Sequence, residues 1–101
     1  MGDNPDAGLW DVEIKASAGQ QLRTLPGPER EEALDLVTAL EEDPFLSGAE
    51  HLRNYNNRHK IRFGRGERYR LLYDIYPASR KVIVGVIELR SPDTYSGMDP
   101  W

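Results

Sequence analysis

Cysteine is absent from the chain, and histidine occurs only twice, at His51 and His59. The absence of cysteine excludes disulfide bonds, thiol catalysis and thiolate metal sites. Zinc usually takes about three or four Cys, His or carboxylate ligands, so two histidines make a zinc site an unfavourable interpretation. We therefore expect neither a metal ion nor another cofactor.

Long hydrophobic runs are also missing. No stretch approaches the roughly 18–20 apolar residues that span a bilayer, and the N-terminal sequence MGDNPDAG has no signal-peptide core. We therefore expect a cytoplasmic protein that makes no membrane contact. The chain has 101 residues, of which 39% are hydrophobic and 30% charged, and this is typical of one compact soluble domain.

Positive charge is scarce in the first half of the chain and concentrated in the second. Residues 1–50 carry a net charge of −9 and residues 51–90 a net charge of +7, within a total of −4. An asymmetry of this size favours a surface that faces a polyanion. Two ordinary soluble surfaces remain the alternative on charge alone.

Two amphipathic segments predict a helical hairpin. The sequence ASAGQQLRTL fits a short helix that begins near Ser17, and EREEALDLVTALEED fits a longer one. Pro26-Gly27-Pro28 separates them, and Pro28 suits the first turn of the second helix. Their apolar stripes need a sheet to cover.

Four further stretches have the pattern of strands. LWDVEIK alternates before the helices, and three strands follow a loop predicted over 44–57: RHKIRF, RYRLLYDIY and RKVIVGVIEL. The order β-α-α-β-β-β predicts an α+β fold, an antiparallel curved sheet with the helical hairpin on one face. We expect one domain over residues 9–95, between a flexible tail at 1–8 and a C-terminal tail at 96–101.

The basic side chains of the predicted strands point away from the apolar face. Alternation places Lys60, Arg62 and Arg70 opposite the face of the apolar residues. Arg90 ends the last strand, and Tyr95 follows five residues later. The expected result is a cationic concavity on the side opposite the helices, where guanidinium groups suit phosphate oxygens.

These residue types match the needs of metal-independent RNA cleavage. A base must take the proton of the 2′-hydroxyl, cations must stabilise the phosphorane, and an acid must protonate the leaving 5′-oxygen. Lys60 is a candidate base, because neighbouring like charges disfavour its protonated form. Arg62 and Arg70 suit the second role, and Arg90 or Tyr95 the third. Tyr95 could instead stack on a base.

Other basic residues are predicted to strengthen the positive field rather than to take part in the chemistry. These candidate RNA-binding residues are Arg58, Arg65 and Arg68. For Arg70 a structural interpretation competes, in which it forms a salt bridge with Asp74 or Glu88.

The motifs HKIRFG, YRLLYDI and IELRSPDTY, with Leu52 after the helices, resemble the RelE/ParE toxin superfamily of bacterial type II toxin–antitoxin systems. The resemblance covers about Leu9 to Tyr95 and is strongest for the RelE-like branch. By position, the paired basic residues, the YR arginine, the arginine ending the last strand and the following tyrosine of that branch match Lys60, Arg62, Arg70, Arg90 and Tyr95.

The resemblance implies a function and partners. A RelE-like protein is a toxin and mRNA interferase, a metal-independent endoribonuclease that cuts mRNA in the ribosomal A site, with contacts to 16S rRNA. A cognate antitoxin inhibits it, and the resulting hetero-oligomer can bind operator DNA through the antitoxin. Two alternatives stay open: a ParE-like toxin that poisons DNA gyrase, and a degenerate member that only binds its antitoxin.

Overall fold

The computed structural model describes residues 8–89. The candidates Arg90 and Tyr95 lie outside the described residues, as do the predicted C-terminal tail and all of the N-terminal tail except Gly8. Within the described range no helix combines the length and apolar character needed to cross a bilayer.

The described residues form one sheet with two helices on one face, which confirms the predicted α+β class. Helices α1 (Ala16–Thr24) and α2 (Gly27–Glu42) follow the first strand. The strands in chain order are β1 (Asp11–Ile14), β2 (Glu50–His51), β3 (Arg58–Phe63), β4 (Tyr69–Tyr76) and β5 (Lys81–Leu89). They form one sheet in the order β1-β5-β4-β3-β2.

Two features of the sheet differ from the prediction. The loop predicted over 44–57 contains the short strand β2, which pairs with β3 at the sheet edge. Strand β1 pairs with β5 in parallel, from Asp11↔Lys81 to Ile14↔Val84, so the sheet is mixed rather than wholly antiparallel. A short turn forces its two strands to run antiparallel, but no such turn joins β1 to β5.

The core lies between the helices and the inner face of the sheet. The helices contribute the buried residues Leu22, Ala33 and Leu40, and the three long strands contribute Phe63, Leu71, Tyr73, Ile75, Val82, Val84 and Ile87. Complete burial of one such large side chain stabilises the fold by about 1.5–3 kcal/mol. The core therefore holds β3, β4 and β5 as a rigid support for whatever lies on their other face.

The connection between β3 and β4 sets the register of these two strands. Gly64 and Gly66 have φ values of +85° and +68°, in the left-handed region that favours glycine. A Cβ at Gly64 would lie 2.8 Å from Cδ2 of Tyr69. The resulting register brings residues from the two strands opposite one another as Arg58↔Asp74, Lys60↔Leu72 and Arg62↔Arg70.

Candidate active site

The register of β3 and β4 brings three predicted catalytic residues together. Arg62 and Arg70 are directly opposite across the two strands, a position in which Cβ atoms are about 4.5–5.5 Å apart. Lys60 lies two residues from Arg62, about 7 Å along the same face. All three project from the face opposite the helices, as the alternation predicts.

A cleft opens beside two of these cations, at the edge of β3 that β2 leaves partly uncovered. Its volume is about 260 Å³. The lining comes from the segment before β2, from β3 and from the turn after β3: Ser47, Gly48, Glu50, Lys60, Ile61, Arg62 and Glu67. Arg70 does not line the cleft, although it is opposite Arg62.

Each of the three cations has a carboxylate within 4.0 Å. Lys60 Nζ lies 3.7 Å from Glu50 Oε1, and Arg62 Nη1 lies 3.9 Å from Glu67 Oε1. Arg70 Nε lies 4.0 Å from an oxygen of Glu88, its cross-strand neighbour. These distances exceed those of hydrogen bonds, about 2.7–3.2 Å, so at these atom pairs the groups interact through their charges rather than through hydrogen bonds.

The three cations differ in accessibility. Lys60 and Arg70 are buried, with 7% and 2% of their surface exposed, whereas the side chain of Arg62 is 40% exposed. Arg62 is therefore the best placed of the three to contact a phosphate from solvent. Lys60 and Arg70 are better placed to act on that phosphate through their charges, from buried positions in the sheet.

Arg58 is held apart from the cleft by a buried ion pair. Its Nε and Nη2 donate to the two oxygens of Asp74 at 2.8 and 3.1 Å, and its guanidinium lies 4.6 Å from the ring centroid of Tyr55. The Tyr76 hydroxyl donates to the same carboxylate. Arg58 is also four residues from Arg62, about 13 Å along an extended strand. The structure does not bring this predicted RNA-binding residue to the cleft.

The other two predicted RNA-binding residues lie in the connection between β3 and β4. Arg65 and Arg68 are both exposed and flank Glu67 in the chain. Neither of them lines the cleft. Their positions suit residues that strengthen the positive electrostatic field rather than residues that take part in the cleavage reaction.

His59 lies on the helix side of the sheet, on the same face of β3 as Ile61 and Phe63. Its ring stacks on Tyr73 with centroids 5.7 Å apart, and its Nδ1–H donates to the carbonyl of Asn57. Burial lowers the pKa of His59, and the nearby His51 lowers it further. These contacts describe a packing residue on the opposite side from the cleft.

The sequence interpretation missed Glu50 and Glu67, which line the cleft beside the cations. Glu50 falls in the region predicted as loop, so its pairing with Lys60 had no signal. Glu67 was recognisable only as an acid in a basic stretch. Across residues 8–89, no group of three or more His, Cys, Asp or Glu side chains is arranged to hold a metal ion.

Comparison with known proteins identifies the fold through structural similarity rather than through sequence. No protein-family model and no curated protein matches the sequence. The structure is similar to the isolated E. coli RelE toxin, with a TM-score of 0.69 and 24% identity over 82% of this chain and 88% of that one. It is also similar to the archaeal RelE–RelB complex from Pyrococcus horikoshii, with a TM-score of 0.71 and 18% identity over 83% and 98% of the two chains.

A third similar structure is the RelBE2 toxin–antitoxin complex from Mycobacterium tuberculosis, with a TM-score of 0.67 and 24% identity over 81% and 99% of the chains. The protein therefore has the fold of the RelE toxins. The resemblance to the RelE/ParE superfamily is confirmed at the level of the fold.

Proposed function

We propose that this protein is the toxin of a type II toxin–antitoxin system and acts as a metal-independent endoribonuclease on mRNA in the ribosomal A site. The observation that carries the proposal is the grouping of Lys60, Arg62 and Arg70 on one face of a RelE-like sheet. Arginine and lysine are the residue types that stabilise a phosphorane without a metal ion.

The chemistry follows from the positions of the cations. A base takes the proton of the 2′-hydroxyl, the 2′-oxygen attacks the adjacent phosphorus, and the 5′-oxygen leaves with a proton from an acid. The products are a 2′,3′-cyclic phosphate and a 5′-hydroxyl. Arg62 binds the phosphate with its planar donor fork, Arg70 supports it from the neighbouring strand, and Lys60 is the proposed base. Arg90 or Tyr95 is the proposed acid, with stacking on a base as the alternative role of Tyr95.

The proposed partner is a cognate antitoxin. Solved structures with this fold include RelE in complex with RelB from E. coli and from Pyrococcus horikoshii. We propose that an antitoxin covers the cleft of this protein in the cytoplasm and that the hetero-oligomer binds operator DNA through the antitoxin. The mRNA and the 16S rRNA of the ribosome are the proposed RNA partners.

Primer extension on mRNA from programmed ribosomes tests the proposed activity. Addition of the protein is expected to give new 5′ ends at the A-site codon. Arg62→Ala should slow cleavage by about 10²–10³, the usual effect of losing one donor to a transition-state anion. Arg23→Ala is the matched control, because it removes the same charge from an exposed position on α1. Absence of A-site cuts, or equal cutting by both variants, would reject the nuclease proposal.

The ion pairs favour one alternative function. Because Lys60, Arg62 and Arg70 each have a carboxylate within 4.0 Å, this face also suits a protein-binding toxin of the ParE type that poisons DNA gyrase. A supercoiling assay with purified gyrase distinguishes the two proposals. Accumulation of DNA cleavage complexes, with ribosome-bound mRNA left intact, would support the ParE-type function.

A further inference from the structure

Three ion pairs on the face opposite the helices, one buried and two at the cleft, differ in exposure. In the Arg58–Asp74 pair both side chains are buried, with 6% and 8% exposed. In the two cleft pairs the carboxylate is open to solvent: Glu50 is 64% exposed and Glu67 is 65% exposed. The Arg58–Asp74 pair is hydrogen-bonded and shielded from water, whereas the exposure of the cleft carboxylates leaves them room to rotate into water.

The cleft lining carries two cations and two carboxylates. Glu50 and Glu67 lie beside Lys60 and Arg62, where the oxygens of a bound phosphate would lie. A carboxylate and a phosphate oxygen use the same donors on a guanidinium or ammonium group. A phosphate therefore has to displace the two carboxylates before it can contact both cations.

We propose that Glu50 and Glu67 are specificity-determining residues that compete with phosphate for Lys60 and Arg62, so that the cleft rejects free RNA and accepts RNA held in place by a larger assembly. This inference rests on the proposed ribonuclease function. The lining of the cleft is charge-balanced, with two cations and two carboxylates, so it adds little to the long-range attraction that normally drives non-specific binding to nucleic acid. An RNA strand that a larger assembly already holds in place is present at a high local concentration, and this offsets the free energy needed to displace the two carboxylates.

The backbone at Glu67 supports the same interpretation. Glu67 has a φ of +55°, a left-handed conformation that side chains other than glycine and asparagine rarely adopt. Its N–H donates to the carbonyl of Gly64 at 2.9 Å and closes the turn. Glycine would adopt this backbone conformation more easily, and the carboxylate that glutamate adds at this position lies 3.9 Å from Nη1 of Arg62.

Binding of a short fluorescent single-stranded DNA at low salt tests the proposal without cleavage, because this probe lacks the 2′-hydroxyl. Glu50→Gln and Glu67→Gln are each expected to tighten binding by about two- to five-fold, the effect of an exposed ion pair. Binding by the double variant should also depend more steeply on salt concentration, because more phosphates are contacted. Glu31→Gln on the exposed surface of α2 is the matched control, with the same change in net charge.

A second variant separates the charge of Glu67 from its backbone. Glu67→Gly removes the carboxylate and relieves the left-handed conformation, so it should bind as tightly as Glu67→Gln without a lower thermal midpoint. If neither glutamine variant tightens binding beyond Glu31→Gln, the proposal is wrong. The proposal is also wrong if Glu67→Gly binds the DNA as weakly as the native protein does.

Cleavage assays keep this inference distinguishable from the proposed function. Tighter DNA binding by the variants, without any RNA cleavage, would support the competition and reject the nuclease. Cleavage on ribosomes with unchanged DNA binding would support the nuclease and reject the competition. If both hold, Glu67→Gln should cut free RNA several-fold faster relative to ribosome-bound mRNA than the native protein does.

Discussion

Replacement of Asp74 by asparagine separates a structural role of Arg58 from the RNA-binding role that the sequence predicts. The substitution keeps the shape of the side chain and removes its charge. Arg58 then remains buried, with 5% of its surface exposed, without its bidentate carboxylate. The Tyr76 hydroxyl also loses its charged acceptor.

The expected loss of stability is large. Breaking a buried ion pair by removing one partner costs about 3–5 kcal/mol, because a buried charge is left uncompensated. A domain of this size is stable by only about 5–15 kcal/mol. With a urea m-value of about 1–3 kcal/mol per M, the unfolding midpoint of Asp74→Asn should fall by at least about 1 M.

Urea unfolding followed by circular dichroism measures this loss. Glu31→Gln removes an exposed charge and should change the free energy of unfolding by less than about 0.5 kcal/mol. The double variant Arg58→Met/Asp74→Leu removes both charges and should recover most of the stability. A loss below about 1 kcal/mol for Asp74→Asn would refute the structural role and return Arg58 to the RNA-binding candidates.

Three further predictions concern the packing around the sheet. The pKa of His59 is lowered from 6.5, chiefly by burial. As the pH drops, the unfolded chain therefore takes up a proton before the folded protein does, and the free energy of unfolding should fall below about pH 6.5. His59→Phe should reduce this pH dependence in urea titrations. The Tyr73 hydroxyl, with its pKa raised to about 12 by burial, donates to the buried carbonyl of Pro44 at 3.1 Å; Tyr73→Phe should cost about 1–3 kcal/mol of unfolding free energy. Gly64→Ala should cost a similar amount, since its Cβ would meet Tyr69 at 2.8 Å and its φ is +85°; a thermal midpoint equal to that of the native protein would contradict it.

The apolar run KVIVGVIEL predicts β5, and alternation of apolar and polar residues predicts β3 and β4. Alternation also places Lys60, Arg62 and Arg70 correctly on the face opposite the helices. The two-residue strand β2 has no such signal: Glu50 and His51 are both exposed, and two residues cannot show a period. The strand exists only because β3 offers backbone groups to pair with.

The ion pairs could be predicted only in part. For Arg70, the sequence suggested Asp74 or Glu88 as a partner, and the register selects Glu88 by placing it directly opposite on β5. Asp74 is opposite Arg58 instead. A turn centred on Gly66 would have revealed this second pair, because residues at equal distances from the centre of a hairpin face each other.

Charge counted along the chain overestimates the cationic surface for a physical reason. Residues that are far apart in sequence become neighbours in a sheet, so acids from the negative half pair with cations from the positive half. Glu50 reaches Lys60 in this way, and Glu13 lies 3.0 Å from Lys81 across the parallel β1–β5 pairing. The positive charge that remains effective at the cleft therefore depends on which carboxylates can rotate away from the cations. Exposure of the carboxylates, rather than the number of arginines, should determine how strongly this face binds RNA.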